Sequence, residues 1–355
     1  MEQSFDFTKI MNDAFNKFGK ANIIITGKTG VGKSTLINAI FSEKMAETGV
    51  GKPITQNIKE YTKENYPLSI IDTKGLELNN YESISNELKS LINQRKTNNP
   101  KDHINLAWYC INYNAGRIED KEIEFIRNLG QSGLKVIVVF TQTITDNNMF
   151  FNEVKNILYK DEINFVKTLA LSYKTMAGEI PSYGLKELVD LSLELLPEAQ
   201  KQAFAAAQKI DISQRVKQCH KIVATAAVAA AGIGATPIPF SDAVALAPVQ
   251  VGMLASISLA MGLQLTKAFL TTLVSSAAGI VGASMAGRAI VSGLLKLIPG
   301  AGSVIGGTIA AGTAASLTTT MGEAYIKVLE SIVSSGKEVD AEEIAKAFKK
   351  QLSMH

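Results

Sequence analysis

Cysteine, histidine and tryptophan are scarce in this 355-residue chain, which has two, three and one of them. Cys110 and Cys219 each sit inside an apolar or helical stretch. That excludes a disulfide framework and a zinc site and fits a reducing compartment. His103, His220 and His355 lie far apart with no metal-ligand spacing, and they read as structural or surface residues. Basic blocks are absent too: 36 Lys and Arg stand against 33 Asp and Glu, a net charge of +3, so no nucleic-acid arm is indicated. The opening stretch MEQSFDFTKIMNDAF carries acids and no apolar run with a cleavage site. It is therefore not a secretion signal, and a cytoplasmic location is expected. Charge itself is missing from one region, since between Ile222 and Gly322 only Asp242, Lys267, Arg288 and Lys296 carry it. The length suits two domains, with a composition boundary near residues 200–220.

What is present begins with a helical spacing of Met11, Phe15 and Phe18, with Ile10 and Ala14 beside them, which predicts a short amphipathic helix within residues 1–20. Strand-like runs then alternate with helix patterns. The runs are NIIIT (22–26), LSIID (68–72), NLAWYCIN (105–112), KVIVVFT (135–141) and TLALS (168–172). Several are apolar without alternation, as strands covered on both faces are. Helices are expected at 33–41, 83–94, 119–129, 148–159 and 185–195. This alternation predicts an α/β fold over residues 21–198 with a mostly parallel, doubly wound sheet and ligand sites at the carboxyl ends of its strands. From LPEAQ (196–200) the pattern turns helical, restarting at Pro197 and running past His220 toward Ala231, so residues 199–355 are expected to be all-α. Asp340 with Glu343 three positions on has the spacing of a capping box at the last helix.

The stretch GKTGVGKST, Gly27 to Thr35, follows the first strand and precedes a helix. It fits G-x-x-x-x-G-K-[ST], the phosphate loop, in the setting its mechanism requires. Gly27, Lys28, Thr29, Gly30, Val31, Gly32, Lys33, Ser34 and Thr35 would wrap their backbone around phosphate. Lys33 would neutralise the β and γ phosphates, Ser34 would ligate Mg²⁺, and the helix N-terminus would face the anion. Asp72 ends the strand of IIDTKG, and Gly75 follows at the D-x-x-G spacing of GTPases. Asp72 would then hold Mg²⁺ through water and the Gly75 N–H would sense the γ phosphate. Thr55, in VGKPITQNI between the two motifs, is the candidate that completes the Mg²⁺ shell while the γ phosphate is present. Lys33, Thr55 and Gly75 form the expected catalytic set; Ser34, Thr55 and Asp72 the expected metal ligands.

The base-reading motif departs from pattern. Where N/T-K-x-D is expected, the chain has TQTITD: Thr141 fits, Gln142 replaces Lys and Ile144 replaces Asp, while Asp146 fits only if the loop is two residues longer. Ser172 and Tyr173 occupy the place of the S-A-K loop. Guanine is thus expected from context rather than from the motif, and an ATPase is the alternative that nucleotide competition separates. Arg117 follows the third strand and reads as a solvated arginine rather than a finger in trans. Trp108 and Tyr109 read as core.

With these motifs in order, the first 200 residues resemble the Era-like and immunity-related branch of bacterial GTPases of the translation-factor class. HINLAWYCIN (103–112) and GRIEDKEIEFI (116–126) look like a strand and helix of that branch. LPEAQKQAFAAAQKIDISQR (196–215), ATPIPFSDAVALAPVQVGML (235–254) and the stretch 297–326 resemble a helical domain of unknown function that follows such GTPases and recurs in an inner-membrane protein family. The resemblance implies a Mg²⁺-dependent GTP hydrolase of dynamin-like style, with GTP and GDP as ligands, homo-oligomers formed through the GTPase domain, and a location at the cytoplasmic face of the inner membrane. Two departures bear on rate. Lys74 stands where that family has Pro, and Leu76 where Ras-like enzymes place the Gln that orients water, so intrinsic hydrolysis is expected to be slow.

The uncharged runs 222–241, 243–266, 268–287 and 297–322 reach the length of a bilayer-spanning helix. Ala, Gly and Thr dilute them, so two arrangements stay open over 222–322: contact with lipid, or a bundle buried all round. Two functions from different classes follow. One is a GTP hydrolase whose nucleotide state controls membrane association or self-assembly of the helical domain. The other is a nucleotide-dependent scaffold or membrane-inserting effector with little turnover.

Overall fold

A computed structural model describes residues 6–41, 50–62, 67–73, 81–97, 99–145, 148–176, 178–234, 242–278, 311–337 and 339–354. The chain forms two compact units, Gly19–Asp211 and a second made of Met1–Phe18 with Ile212–His355.

The first unit is built on a seven-stranded sheet. Its strands are β1 (Ala21–Thr26), β2 (Val50–Pro53), β3 (Ile58–Thr62), β4 (Leu68–Thr73), β5 (Leu106–Asn112), β6 (Lys135–Thr141) and β7 (Asn164–Lys167). They lie in the order β2-β3-β4-β1-β5-β6-β7. From β4 to β7 every neighbour is parallel, while β2 and β3 add an antiparallel edge. Every residue of β1 is buried and all but the last of β5, as parallel strands covered on both faces require. The helices are α2 (Lys33–Ile40), α3 (Tyr81–Thr97), α4 (Asp120–Gln131), α5 (Met149–Ile157), α6 (Leu185–Leu195) and α7 (Glu198–Ala207). This is the fold of a P-loop GTPase, a mostly parallel sheet with flanking helices.

Three local differences from the sequence reading have physical causes. VGKPITQNI, a polar loop by its sequence, forms the hairpin β2–β3 together with KEYT. Its strands are at the sheet edge, where Lys59 faces water and Ile58 is buried, so no continuous apolar run marks them. The last strand lies at 164–167, one segment before TLALS. Thr168 still donates its N–H to Phe140 O of β6 at 2.7 Å, and Leu169 then bridges to Tyr183 instead. The helix expected to run from Pro197 past His220 breaks at Gln208. There the side-chain amide donates to the carbonyls of Ala205 and Asp211 and accepts from the Asp211 N–H. Helix α7 was expected with the helical domain, yet the structure gathers it with the sheet. Phe204 meets Phe41 and Trp108 edge-on at 5.8 and 6.2 Å. Trp108 stacks on Phe41 at 5.9 Å and donates its indole N–H to Ser192 Oγ at 3.1 Å. Large aromatic surfaces hold this helix in place.

The second unit contains α1 (Phe7–Phe18), α8 (Ile212–Gly234), α9 (Asp242–Ala260), α10 (Lys267–Ala278), α11 (Ala311–Ser335) and α12 (Ala341–Leu352). Helix α1 buries Phe7, Ile10, Ala14 and Phe18, one face at helical spacing, against α9 and α10, and Met11 and Phe15 flank that face. Tyr325 on α11 shares a 2.8 Å hydrogen bond with Ser258 of α9 and packs on Phe348 of α12 at 5.0 Å. Asp340 caps α12, its carboxylate accepting from the Glu343 N–H at 2.9 Å. Among the described residues no helix is long and apolar enough to cross a membrane. Of the four runs that raised the question, residues 235–241, 279–287 and 297–310 lie outside the described residues.

Candidate functional site

Strand β1 ends at Thr26, which shares a hydrogen bond of 2.8 Å with Thr73 at the end of β4, so two strand ends are tied together beneath one loop. The loop then turns through Gly27 (φ 140°), Gly30 (φ 77°) and Gly32 (φ 93°) before Lys33 opens α2. Gly27 has no alternative. A Cβ there would stand 2.3 Å from the carbonyl oxygen of Cys110 on the neighbouring β5, in a backbone region that L side chains rarely enter. Gly32 is the N-cap of α2 and no side chain caps that end, so the first N–H groups of the helix face the loop. Lys33 folds back over it, Nζ donating to the carbonyls of Gly27 at 2.8 Å and Lys28 at 3.0 Å. Val31 is buried beneath the loop, and Thr29, Gly30, Ser34 and Thr35 are exposed along it.

Asp72 lies on β4 opposite Ile25 of β1. Burial pushes its carboxyl up to about 6, against the opposing pull of Lys33 and Lys59. Its Oδ1 is buried without a hydrogen-bond partner. A buried carboxylate oxygen with no protein donor suits a cation. Together with the uncapped start of α2 and the free face of Ser34, it fits Mg²⁺ beside a phosphate chain. Among the described residues no group of three His, Cys, Asp or Glu forms a metal cage.

Lys28 points the other way. Its ammonium pairs with Glu119 at 2.7 Å and Glu122 at 3.0 Å at the start of α4. Burial alone would lower its pKa, but the hydrogen bonds to both carboxylates raise it. Glu122 in turn accepts from Tyr109 OH at 3.0 Å and from the Glu119 N–H at 3.0 Å, the return half of a capping box. Glu122 was not singled out in the sequence; E-x-x-E before an apolar run was the available signal.

Thr141 and Gln142 reach the phosphate loop. The Thr141 hydroxyl lies within hydrogen-bond reach of the carbonyls of Val31 and Ile111. Gln142 adopts a positive φ of 54°, held by Asn114 Nδ2 on its carbonyl at 2.9 Å, and its own amide donates to Gly30 O at 3.3 Å. Ser172 and Tyr173 are exposed, Tyr173 opening a small hairpin, β8 (Tyr173–Thr175) with β9 (Gly178–Ile180). A cavity of about 740 Å³ beside α2 is lined by Ser34, Thr35, Asn38, Leu171, Ser182 and Lys209, a volume that accommodates a nucleoside. Thr55 is turned to α3, where it contacts Glu87. Gly75, with Lys74 and Leu76, and Asp146 lie outside the described residues.

Residues 22–142 match the family model described as 50S ribosome-binding GTPase. This unit carries a GTPase domain. Residues 199–354 match a domain of unknown function, DUF697. The probable GTP-binding protein EngB of Mycoplasmoides gallisepticum is 27% identical over 172 residues, covering 46% of this chain and 86% of the relative. The chloroplastic translocase of chloroplast 108 of Physcomitrium patens is 45% identical over 56 residues, which is 15% of this chain but only 6% of that protein. Among solved structures, a bacterial selenocysteine-specific elongation factor EF-Sec aligns with a TM-score of 0.33 at 19% identity, over 50% of this chain and 28% of its own. The GTPase domain binds GTP or GDP with Mg²⁺.

Proposed function

We propose that the protein hydrolyses GTP to GDP and phosphate, and that its nucleotide state controls self-assembly or membrane association of the helical module. The observation that carries the reading is the pairing of the uncapped α2 start under Lys33 with the orphaned, buried oxygen of Asp72. In this reading Lys33 holds the β and γ phosphates, Ser34 and Asp72 hold Mg²⁺, Thr55 joins them when a γ phosphate is present, and the Gly75 N–H senses it. Bound Mg²⁺ supplies charge neutralisation of the phosphate oxygens. The chain's own work is positioning: fixed N–H groups and one ammonium aimed where charge develops. Thr141 and Gln142 shape the loop from the base side, and Ser172 and Tyr173 flank the base.

The connectivity supports a switch. Residues 19–211 are inserted in the chain between α1 and α8, both members of the helical unit. The GTPase domain is thus joined to that unit by two covalent links, one at each of its ends. Era-like descent, dynamin-like self-activation and contact with the inner membrane belong to this proposal. A scaffold with negligible turnover is the second reading, favoured by Leu76 in the water-orienting position.

Phosphate release from GTP and from ATP, by the wild type and by Lys33→Ala at low and high protein concentration, tests both. GTP-selective release that rises per molecule with concentration and disappears in Lys33→Ala supports the self-associating hydrolase. Tight GTP binding without release at any concentration supports the scaffold. Normal release by Lys33→Ala sinks both. Flotation with liposomes, with GDP or a non-hydrolysable GTP analogue, separates membrane association from self-assembly.

A further inference from the structure

The Thr55 hydroxyl is fully engaged within the GTPase domain. It donates to the Glu87 carboxylate on α3, and it accepts from the backbone N–H of Asn57 at 3.2 Å and of Ile58 at 3.1 Å. A hydroxyl has one proton and two lone pairs, so nothing remains on this oxygen for a metal ion. Glu87 is held just as firmly. Besides Thr55 it accepts from Asn57 Nδ2 at 2.7 Å and from Ser83 Oγ at 2.9 Å, one helical turn before it on α3. The β2–β3 turn is closed around the same residues, with the Ile54 and Thr55 N–H groups both donating to Ile58 O at 2.9 and 3.2 Å. Two side chains of the turn and one of the helix thus converge on a single carboxylate.

We propose that Glu87 is a positioning residue that holds Thr55 on α3 and thereby sets the preference of the GTPase domain between GTP and GDP. The inference rests on the reading of Thr55 as the group that joins Mg²⁺ when a γ phosphate is bound. Binding of GTP with Thr55 in that role breaks the Thr55–Glu87 bond. Binding of GDP, which lacks the γ phosphate, leaves it intact. A ligand shifts an equilibrium between two arrangements only by its differential affinity for them. The Glu87 carboxylate therefore weighs against GTP alone. A hydrogen bond to a charged acceptor has the strength to shift the ratio of the two affinities about tenfold.

The test is a fluorescence titration of the full chain with labelled GDP and with a labelled non-hydrolysable GTP analogue, each with Mg²⁺. Four proteins are compared: wild type, Glu87→Ala, Thr55→Ala and the double variant. Glu87→Ala is expected to raise affinity for the GTP analogue about tenfold and leave that for GDP unchanged. In the Thr55→Ala background the same substitution is expected to change neither. Hydrogen exchange of the Asn57 and Ile58 amides gives a readout without nucleotide, and both are expected to exchange faster in Glu87→Ala. Binding of both nucleotides with an unchanged affinity ratio overturns the role of Glu87 alone. An equal ratio change with and without Thr55 overturns it as well. Failure of the wild type to bind either nucleotide overturns this inference together with the function on which it rests.

Discussion

Thr141, at the end of β6, places its hydroxyl on the carbonyl of Val31 in the phosphate loop, across 110 residues of sequence. The same oxygen is 3.1 Å from the Ile111 carbonyl at the end of β5. One small side chain thus ties two parallel strand ends to the loop that they flank. Gln142, the next residue, adds its amide to the Gly30 carbonyl at 3.3 Å. The Thr-Gln pair therefore acts on loop shape, independently of whether an acid follows to read the base.

Replacing Thr141 by Val keeps the shape of the side chain and removes the donor. The carbonyl of Val31 then loses this partner in a buried setting, at a cost of about 1–3 kcal/mol. Affinity for GDP and for GTP is expected to fall together by about tenfold, because the loop serves both. Calorimetric titration of the two nucleotides checks this, and a change in only one of them would contradict it.

Gly27→Ala is a harsher perturbation of the same loop. The new Cβ stands 2.3 Å from the Cys110 carbonyl oxygen, so β5 or the loop must move, and the φ of 140° strains any L side chain there. A loss of about 2–4 kcal/mol is expected, from strain and overpacking combined. Urea unfolding followed by Trp108 fluorescence reports it, since this is the only tryptophan and lies on the adjacent strand.

Glu60 on β3 offers a pH test away from the site. It accepts from Arg95 on α3 at 2.7 Å and from Ser69 Oγ on β4. Burial raises its pKa, but these hydrogen bonds and the charges of Arg95 and Lys20 outweigh it, and the folded-state value is lowered. A lowered carboxylate pKa means stability that is present above the unfolded-state pKa, about 4.3, and lost as pH falls through the folded value. Glu60→Gln is therefore expected to cost about 1–3 kcal/mol at pH 7 and progressively less toward pH 3. Chemical unfolding across that range measures the difference; a gap of constant size would exclude the ionised carboxylate as its source.

The phosphate loop and the central strands were legible because each carries its cause locally: glycines at fixed spacing, an apolar run before them, an amphipathic helix after. The strands β1, β4, β5 and β6 and the helices beside them fell where periodicity put them. What escaped was set by contacts distant in sequence. The β2–β3 edge has too few apolar residues to be seen as strands, and its hairpin is fixed by pairing with β4. Glu87 is one of two acids on a polar helix, and only the fold brings it to Thr55. Lys28 is a loop residue by motif, yet its partners stand more than 90 residues on. The composition boundary near 200–220 was visible, and the compact units part within it, between Asp211 and Ile212. Phe204, in an alanine-rich segment whose composition resembles the helical half, packs on Phe41 and Trp108 of the sheet unit, a contact that composition does not show.

That segment yields the last test. Phe204 is fully buried against Phe41 and Trp108, and Lys209 anchors the end of α7 by donating its N–H to the Ile40 carbonyl at 2.8 Å. Truncation of a buried aromatic to alanine costs about 3–5 kcal/mol. Phe204→Ala is thus expected to destabilise the GTPase domain and to shift Trp108 emission to the red, although residue 204 lies inside the stretch matched as the second domain. Two fragments sharpen the point. Gly19–Asp211 retains α7 and is expected to unfold cooperatively with a blue-shifted tryptophan. A fragment that ends at Leu196 leaves the Phe41 and Trp108 faces to water and is expected to show red-shifted emission and a lower unfolding midpoint. Equal midpoints and equal emission from the two would place α7 with the helical unit after all.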